Sequence, residues 1–321
     1  MSDQPMIEIT LDGAPRTIEA GSTGALLLQD AVKKDGVVAM RVNGEPWDLE
    51  RQVPAGAVVE PITLASEDGL NILRHSATHV MAQAVQEMFP DVNLGIGPFI
   101  TDGFYYDFGA IDAVTPEMLR EIEKRMKRIV KEGQRFVRRD ITEDQGREEL
   151  ADQPYKLELI TTKGAGAEGA SVEVGAGGLT MYDNVRRDGT VAWSDLCRGP
   201  HLPSTRLIGQ GFALTKSSSA YWKGDQSGDS LQRIYGTAWA TKDDLKAYQT
   251  RLAEAAKRDH RKLGAELDLY SFPEEIGPGL VVFHPKGAML RHQIEQYVVE
   301  RHLDYGFDFV HTPEISKGGL F

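Results

Sequence analysis

The stretch DGLNILRHSATHVMAQAVQEMFP, residues 68–90, decides how the rest of the chain is read. Leu70, Leu73, Ala77, Val80, Met81, Ala84, Val85 and Met88 recur at helical spacing and form one apolar stripe. Asp68 can cap the start and Pro90 stops the run, so the pattern predicts a long helix ending at Phe89. His75 and His79 stand one turn apart on it. At about 100° per residue they project within roughly 40° of each other. They lie nearly opposite the stripe, so a pair of solvated surface histidines is the plain alternative to a site.

Strand-like segments precede this helix. Met6–Leu11 alternates apolar and polar, Asp12-Gly13 marks a turn, and a second short strand is expected near Arg16–Ile18. Ser22 or Thr23 can cap a short helix through Val32. Val37–Val42 and Val58–Ile62 read as further strands, Asn43-Gly44 as a hairpin turn, and Asp48–Ala57 as loop. Residues 1–64 thus form a compact β-rich unit. After the helix come short strands, among them the aromatic run Phe104-Tyr105-Tyr106. Thr115-Pro116-Glu117 opens a second helix that buries Leu119, Ile122, Met126 and Ile129. Its other face carries Lys124, Arg125, Lys127, Arg128 and Lys131, first a solvated face and second, with Arg135, Arg138 and Arg139, a phosphate-contacting one. Strands are expected at Leu179–Tyr182 and Val191–Trp193. A charged helix over Lys242–Arg261 follows as a connector. A last α/β unit then has a strand at Val281–Phe283, a helix at Gly287–Leu303 and a strand at Phe307–Val310. That last unit is too small to close a core, so a fragment is expected.

The 321 residues are 41% hydrophobic and 26% charged, which excludes wholesale disorder. No apolar run approaches a membrane span, and Met1–Pro5 lacks the features of a secretory signal. The net charge of −12 argues against indiscriminate polyanion binding, though not against a local basic patch. One cysteine, Cys197, excludes an intrachain disulfide and makes the cytoplasm the default compartment.

That cysteine lies in Asp195-Leu-Cys197-Arg198-Gly-Pro-His201. Arg198 would lower the thiol pKa if close. Gly199-Pro200 turns the chain, so the Cys197 and His201 side chains need not diverge. Two histidines from a helix with Cys197 and His201 from a turn could form a four-ligand zinc site. They could equally line a hydrolytic pocket in which imidazoles activate water. A buried inert thiol beside a surface histidine is the bland reading. Residues Gly164–Gly178 are glycine-rich but lack a Gly-Lys-Ser/Thr ending, which favours a mobile loop over a phosphate cradle. His260, His284, His292, His302 and His311 show no comparable pairing.

Several stretches in order resemble the threonyl-tRNA synthetases of bacteria. They are His75-Ser-Ala-Thr-His79, Gly103-Phe-Tyr-Tyr-Asp107, Asp195–His201, Tyr221-Trp-Lys-Gly-Asp225 and Leu231–Trp239. Lys257–Gly264 and Leu267-Asp-Leu-Tyr270 resemble the family's linker and core entry, and Gly306–Pro313 resembles motif 1 of a class II synthetase. The resemblance implies an α+β multidomain chain. Residues 1–64 would be a TGS-like β-grasp module, 65–240 an editing domain of the threonyl/alanyl type, 241–265 a linker helix, and 266–321 the truncated start of a class II antiparallel core. It implies ATP-dependent joining of threonine to tRNA(Thr) by a homodimeric full-length enzyme using Mg and a catalytic zinc whose ligands lie beyond residue 321. For this chain it implies hydrolysis of mischarged Ser-tRNA(Thr), with no cofactor required and zinc at the editing site as an alternative. His75 and His79 would place water and the terminal ribose, and Cys197 and His201 would line the same pocket. Asp195 would orient the seryl group, Lys156 would stabilise charge, and Tyr106 and Arg198 would contact the substrate. The alternatives are a non-catalytic tRNA- or mRNA-binding fragment, a stand-alone trans-editing deacylase and a metal-binding structural domain.

Overall fold

The computed structural model describes residues 5–162 and 178–313, together with 315, 317 and 319. The chain divides into two compact units, residues 1–247 and 248–321. Both mix helices with sheets, and the antiparallel pairing that dominates gives an α+β architecture.

The first unit opens with a five-stranded sheet. Its strands are β1 (Met6–Leu11), β2 (Ala14–Glu19), β3 (Val37–Val42), β4 (Glu45–Asp48) and β5 (Val58–Thr63), in the order β2-β1-β5-β3-β4. β1 and β5 run parallel and every other pair antiparallel. The helix expected after Thr23 is two short ones, α1 (Gly24–Leu27), capped by Thr23, and α2 (Gln29–Lys34). Asn43 and Gly44, both at positive φ, make the β3–β4 turn. The expected loop therefore begins one residue later than read, because Asp48 ends β4 and pairs with Ala39.

The long helix α3 spans Glu67–Met88, and Ser66 rather than Asp68 caps it through Gly69 N–H. Every residue from Ile72 to Val85 is buried. A three-stranded sheet lies on its histidine side, β9 (Arg135–Ile141), β10 (Leu179–Val185) and β11 (Val191–Leu196), in the order β11-β10-β9. A second five-stranded sheet joins β6 (Asn93–Leu94), β7 (Phe99–Ile100), β8 (Gly103–Gly109), β12 (Phe212–Tyr221) and β13 (Ser230–Ala238). α3 packs on β8, β13 and the amphipathic helix α4 (Pro116–Glu132). Val38, Ala39 and Ile62 of the first sheet share one core with Leu73, Ala77, Met81, Phe104, Ile122 and Tyr182. Two short helices, α5 (Glu143–Glu149) and α6 (Pro154–Thr162), follow β9. The glycine-rich segment falls outside the described residues apart from Gly178.

The basic face of α4 is heavily ion-paired. Arg128 and Arg125 meet Glu87, Lys127 meets Glu123, and Lys124 meets Glu121. This favours the solvated-face reading over free phosphate contacts.

The expected connector helix over 242–261 is broken. α7 (Lys242–Lys257) stops, and Asp259 caps α8 (His260–Glu266) by accepting Arg261 N–H at 2.8 Å. In the second unit β14 (Tyr270–Ser271) pairs β15 (Val282–Phe283), followed by α9 (Pro285–Asp304). His284 stands at the N-terminal end of α9, and its ring bridges Ser271 Oγ at 2.8 Å and exposed Asp268 Oδ1 at 2.7 Å, which ties the hairpin to the helix. The strand expected at Phe307–Val310 does not form among the described residues, because no neighbouring strand pairs with it.

Candidate active site

β11 alternates, so Trp193, Asp195 and the residue after its end, Cys197, share one face. Cys197 N–H bonds Thr180 O at 3.0 Å and extends the ladder by one residue. That face meets the histidine side of α3: the Trp193 ring stands edge-on to His79 with centroids 5.2 Å apart. The chain then turns at Gly199, φ +71°, and returns His201 to the same place.

The result is an enclosed cluster. Cys197 Sγ lies 3.3 Å from His75 Nε2 and 3.3 Å from His201 Nε2. The His201 ring is 4.3 Å from that of His75 and 4.1 Å from that of His79. All four side chains are at most 2% exposed. The reading of His75 and His79 as surface residues is therefore overturned: the face opposite the apolar stripe is covered by β10 and β11.

Burial holds all three imidazoles neutral. It lowers His75 to about 4, opposed by a hydrogen bond to the Pro200 backbone. His79 and His201 lie well below the usual value for the same reason, with His75 and Lys156 adding to the effect at His79, and His79 and His75 adding to it at His201. Ser76 braces His201. Its Oγ lies 2.8 Å from Ile72 O, accepts Leu202 N–H at 3.0 Å and lies 3.1 Å from His201 Nδ1, while His201 Nε2 faces Cys197. His79 Nδ1 is buried with no hydrogen-bond partner among the described residues.

A second polar group adjoins the cluster. Lys156 Nζ, fully buried on α6, lies 3.0 Å from Asp195 Oδ1. Tyr106 OH donates to Asp195 Oδ2 at 2.5 Å, and Leu196 N–H to Oδ1 at 2.8 Å. Burial pushes the Asp195 carboxyl up, while Lys156 and Tyr106 pull it back. Asp195 is thus saturated with donors, and Lys156 is anchored beside the histidines.

Of the residues read from sequence, His75, His79, Cys197 and His201 converge, and Lys156, Asp195 and Tyr106 form the adjoining group. Arg198 is exposed although Cys197 beside it is buried. Sequence reading missed Ser76, Phe136, Tyr182 and Asp48. Phe136 stacks on His201 at 4.9 Å and Tyr182 meets it edge-on at 4.6 Å. Nothing local marks Asp48, which acts from another sheet.

The donor set suits a zinc ion. Three imidazoles and one thiol place ligand atoms within 4.8 Å of one another. The two S···N separations of 3.3 Å approach the roughly 3.6 Å expected across a tetrahedral zinc with bonds of about 2.0–2.3 Å. The orphaned His79 Nδ1 supports the fit.

Residues 179–235 match the family model described as the "Threonyl and Alanyl tRNA synthetase second additional domain". Three curated relatives are named "Threonine--tRNA ligase". The protein of Cutibacterium acnes is 70% identical over 98% of this chain, and those of Pseudarthrobacter chlorophenolicus and Thermobifida fusca are 57% identical over all of it.

Along nearly its whole length the chain is similar to threonine–tRNA ligases.

It spans about half the length of these ligases, 46%, 48% and 49% respectively. The matched segment carries Asp195, Cys197 and His201 but neither α3 nor Lys156. It is the fold that adds His75, His79 and Lys156 to them.

Proposed function

We propose that this chain hydrolyses the ester of Ser-tRNA(Thr), the proofreading half of threonine–tRNA ligation. The observation that carries the proposal is the enclosed set of three neutral imidazoles around Cys197, next to the buried Lys156–Asp195 pair. Serine lacks one methyl of threonine, and such a group is worth only about 1–3 kcal/mol of discrimination in a pocket. A second site that admits serine and excludes threonine supplies the rest.

The chemistry needs a proton acceptor, a placed water and charge stabilisation. A neutral imidazole of His75 or His79 takes a proton from water as its oxygen bonds the ester carbonyl carbon. The Lys156 ammonium stabilises the developing negative charge. The carbon–oxygen bond to the ribose breaks, and the imidazolium returns its proton to the ribose hydroxyl. Cys197 lines the pocket and is no nucleophile, because the ester is already activated. Tyr106 and Asp195 hold Lys156 in place beside the site of the seryl group. Phe99, 6.4 Å from His75, also lines a cavity of about 630 Å3 with Arg74, Asp102 and Trp239, a suitable size for the terminal nucleoside. Arg198 at the rim would contact the tRNA. A cleft lined by Lys131, Arg186, Arg187 and Arg206, with Glu132 and Asp188 beside them, keeps a net positive charge that suits its phosphates.

Zinc at this site would be held by His75, His79, Cys197 and His201, and would polarise the ester or acidify water. Four protein donors fill a tetrahedron and leave no position for that water, so the metal-free reaction is the one proposed.

By the same reading, residues 1–64 are a TGS-like β-grasp module, which their mixed sheet supports. Residues 65–240 are the editing domain, 241–265 the linker and 266–321 the start of the class II core. ATP- and Mg-dependent charging with a catalytic zinc, a homodimeric state and a cytoplasmic location are proposed for the whole enzyme. No helix among the described residues is long and apolar enough to cross a membrane. Deacylation of Ser-tRNA(Thr) by the purified chain tests the proposal. Hydrolysis that His75→Ala abolishes supports it; RNA binding without hydrolysis supports the non-catalytic alternative.

A further inference from the structure

Asp48 ends β4 of the N-terminal sheet, 153 residues before His201. Its carboxylate nevertheless reaches the histidine cluster. Oδ1 accepts the backbone N–H of His201 at 2.8 Å, and Oδ2 accepts the Tyr182 hydroxyl at 2.6 Å. Both bonds leave the sheet to which Asp48 belongs. Asp48 is 9% exposed, Tyr182 0% and His201 1%, so the bonds form out of contact with water. Burying a carboxylate is unfavourable unless donors satisfy it. Here burial raises its pKa, while the two bonds and the charges of Arg51 and Arg138 offset part of that effect.

The two donors sit where they control the site. The His201 amide fixes the main chain that carries the ring. Tyr182 meets that ring edge-on, and its hydroxyl fills the space beside Gly199, where a Cβ would come within 1.9 Å of it. Backbone and ring together set the direction of His201 Nε2, which lies 3.3 Å from Cys197 Sγ. Ser76 holds the opposite edge of the same ring.

We propose that Asp48 is a positioning residue of the hydrolytic site: through this carboxylate the N-terminal sheet fixes the His201 main chain and Tyr182, and so aims His201 at Cys197. The proposal rests on the deacylase reading for its kinetic consequence, and its geometric content stands apart from that reading. A sheet that supplies no group to the histidine–cysteine cluster thereby becomes a condition of the cluster's activity.

The test uses the full 321-residue chain with Asp48→Ala, Asp48→Asn and Tyr182→Phe, assayed for Ser-tRNA(Thr) hydrolysis under single-turnover conditions. Asp48→Ala is expected to lower kcat roughly 10- to 100-fold with KM changed less than about twofold, the signature of a misaimed group. Asp48→Asn keeps an acceptor for His201 N–H and presents a donor to Tyr182 O, so it should recover most of the rate. Tyr182→Phe should fall between them. A kcat for folded Asp48→Ala within about twofold of the parent overturns the proposal. Selective 15N-histidine labelling gives a second readout that needs no activity. The His201 amide should lose protection from hydrogen exchange in Asp48→Ala and keep it in Asp48→Asn, and an unchanged amide in Asp48→Ala overturns the proposal. An inactive parent chain whose His201 amide responds as stated would instead remove the deacylase reading and leave the geometric assignment standing.

Discussion

Single residues set the chemistry here through burial. His75 is 2% exposed, and desolvation brings its pKa down to about 4 from an unfolded value near 6.5. The unfolded ring therefore binds a proton that the folded ring refuses. Between pH 6.5 and 4 the unfolded state holds more protons, so this group's contribution to stability falls as pH falls through that window and levels off below it. An NMR titration of the metal-free chain should show His75 neutral down to about pH 4; a midpoint near 6.5 would mean that the ring is solvated. His75→Ala and Cys197→Ala should each remove Ser-tRNA(Thr) hydrolysis, by about 100-fold or more, and leave Thr-tRNA(Thr) intact. Unchanged deacylation by both variants would dismiss the site. The pairing of His75 with His79 and of Cys197 with His201 was legible from spacing. Their burial was not, because a helical wheel shows which face is polar and not what covers it.

At the scale of elements, most of the fold could be read. β1, β2, β3 and β5 with α3, α4 and α9 lie close to where the period places them, with Thr23 and Thr115 as N-caps, while β4 was not read as a strand and Ser66 replaces Asp68 as the cap of α3. The misreadings have local causes. Asp259 starts a new helix inside a charged run that looked continuous, and Phe307–Val310 lacks a neighbour to pair with among the described residues. The β11 turn is the element on which the site depends. Gly199→Ala would place an L side chain at φ +71° and drive its Cβ against Tyr182. The expected loss is about 2 kcal/mol or more of stability, with slower deacylation. A urea midpoint and rate equal to those of the parent would show that the turn is not constrained as described.

The whole molecule reveals what no segment carries alone. Val38, Ala39 and Ile62 complete the core that Leu73 and Met81 begin, and residues 1–247 form one compact unit. A chain lacking residues 1–64 should lose several kcal/mol, since each such side chain contributes about 1.5–3 kcal/mol when buried, and should lose deacylation with it. Thermal melting and rate together check this; a shortened chain as stable and active as the parent would separate the N-terminal sheet from the site. Net charge −12 averages over a surface that also holds a cleft lined by Lys131, Arg186, Arg187 and Arg206 beside Glu132 and Asp188, the local basic patch that the sequence left open. Charge reversal at Arg206 should raise KM for the tRNA substrate and flatten its salt dependence, with kcat little changed.

The central claim is that the enclosed histidine–cysteine cluster hydrolyses mischarged tRNA without a metal. The most direct measurement is the deacylation rate of Ser-tRNA(Thr), against Thr-tRNA(Thr), with the purified chain in the presence and absence of a chelator. Hydrolysis of the seryl ester, sparing of the threonyl ester and the same rate in both conditions are expected. No hydrolysis above the uncatalysed rate would contradict the assignment of the site, and hydrolysis that the chelator abolishes would contradict the metal-free chemistry.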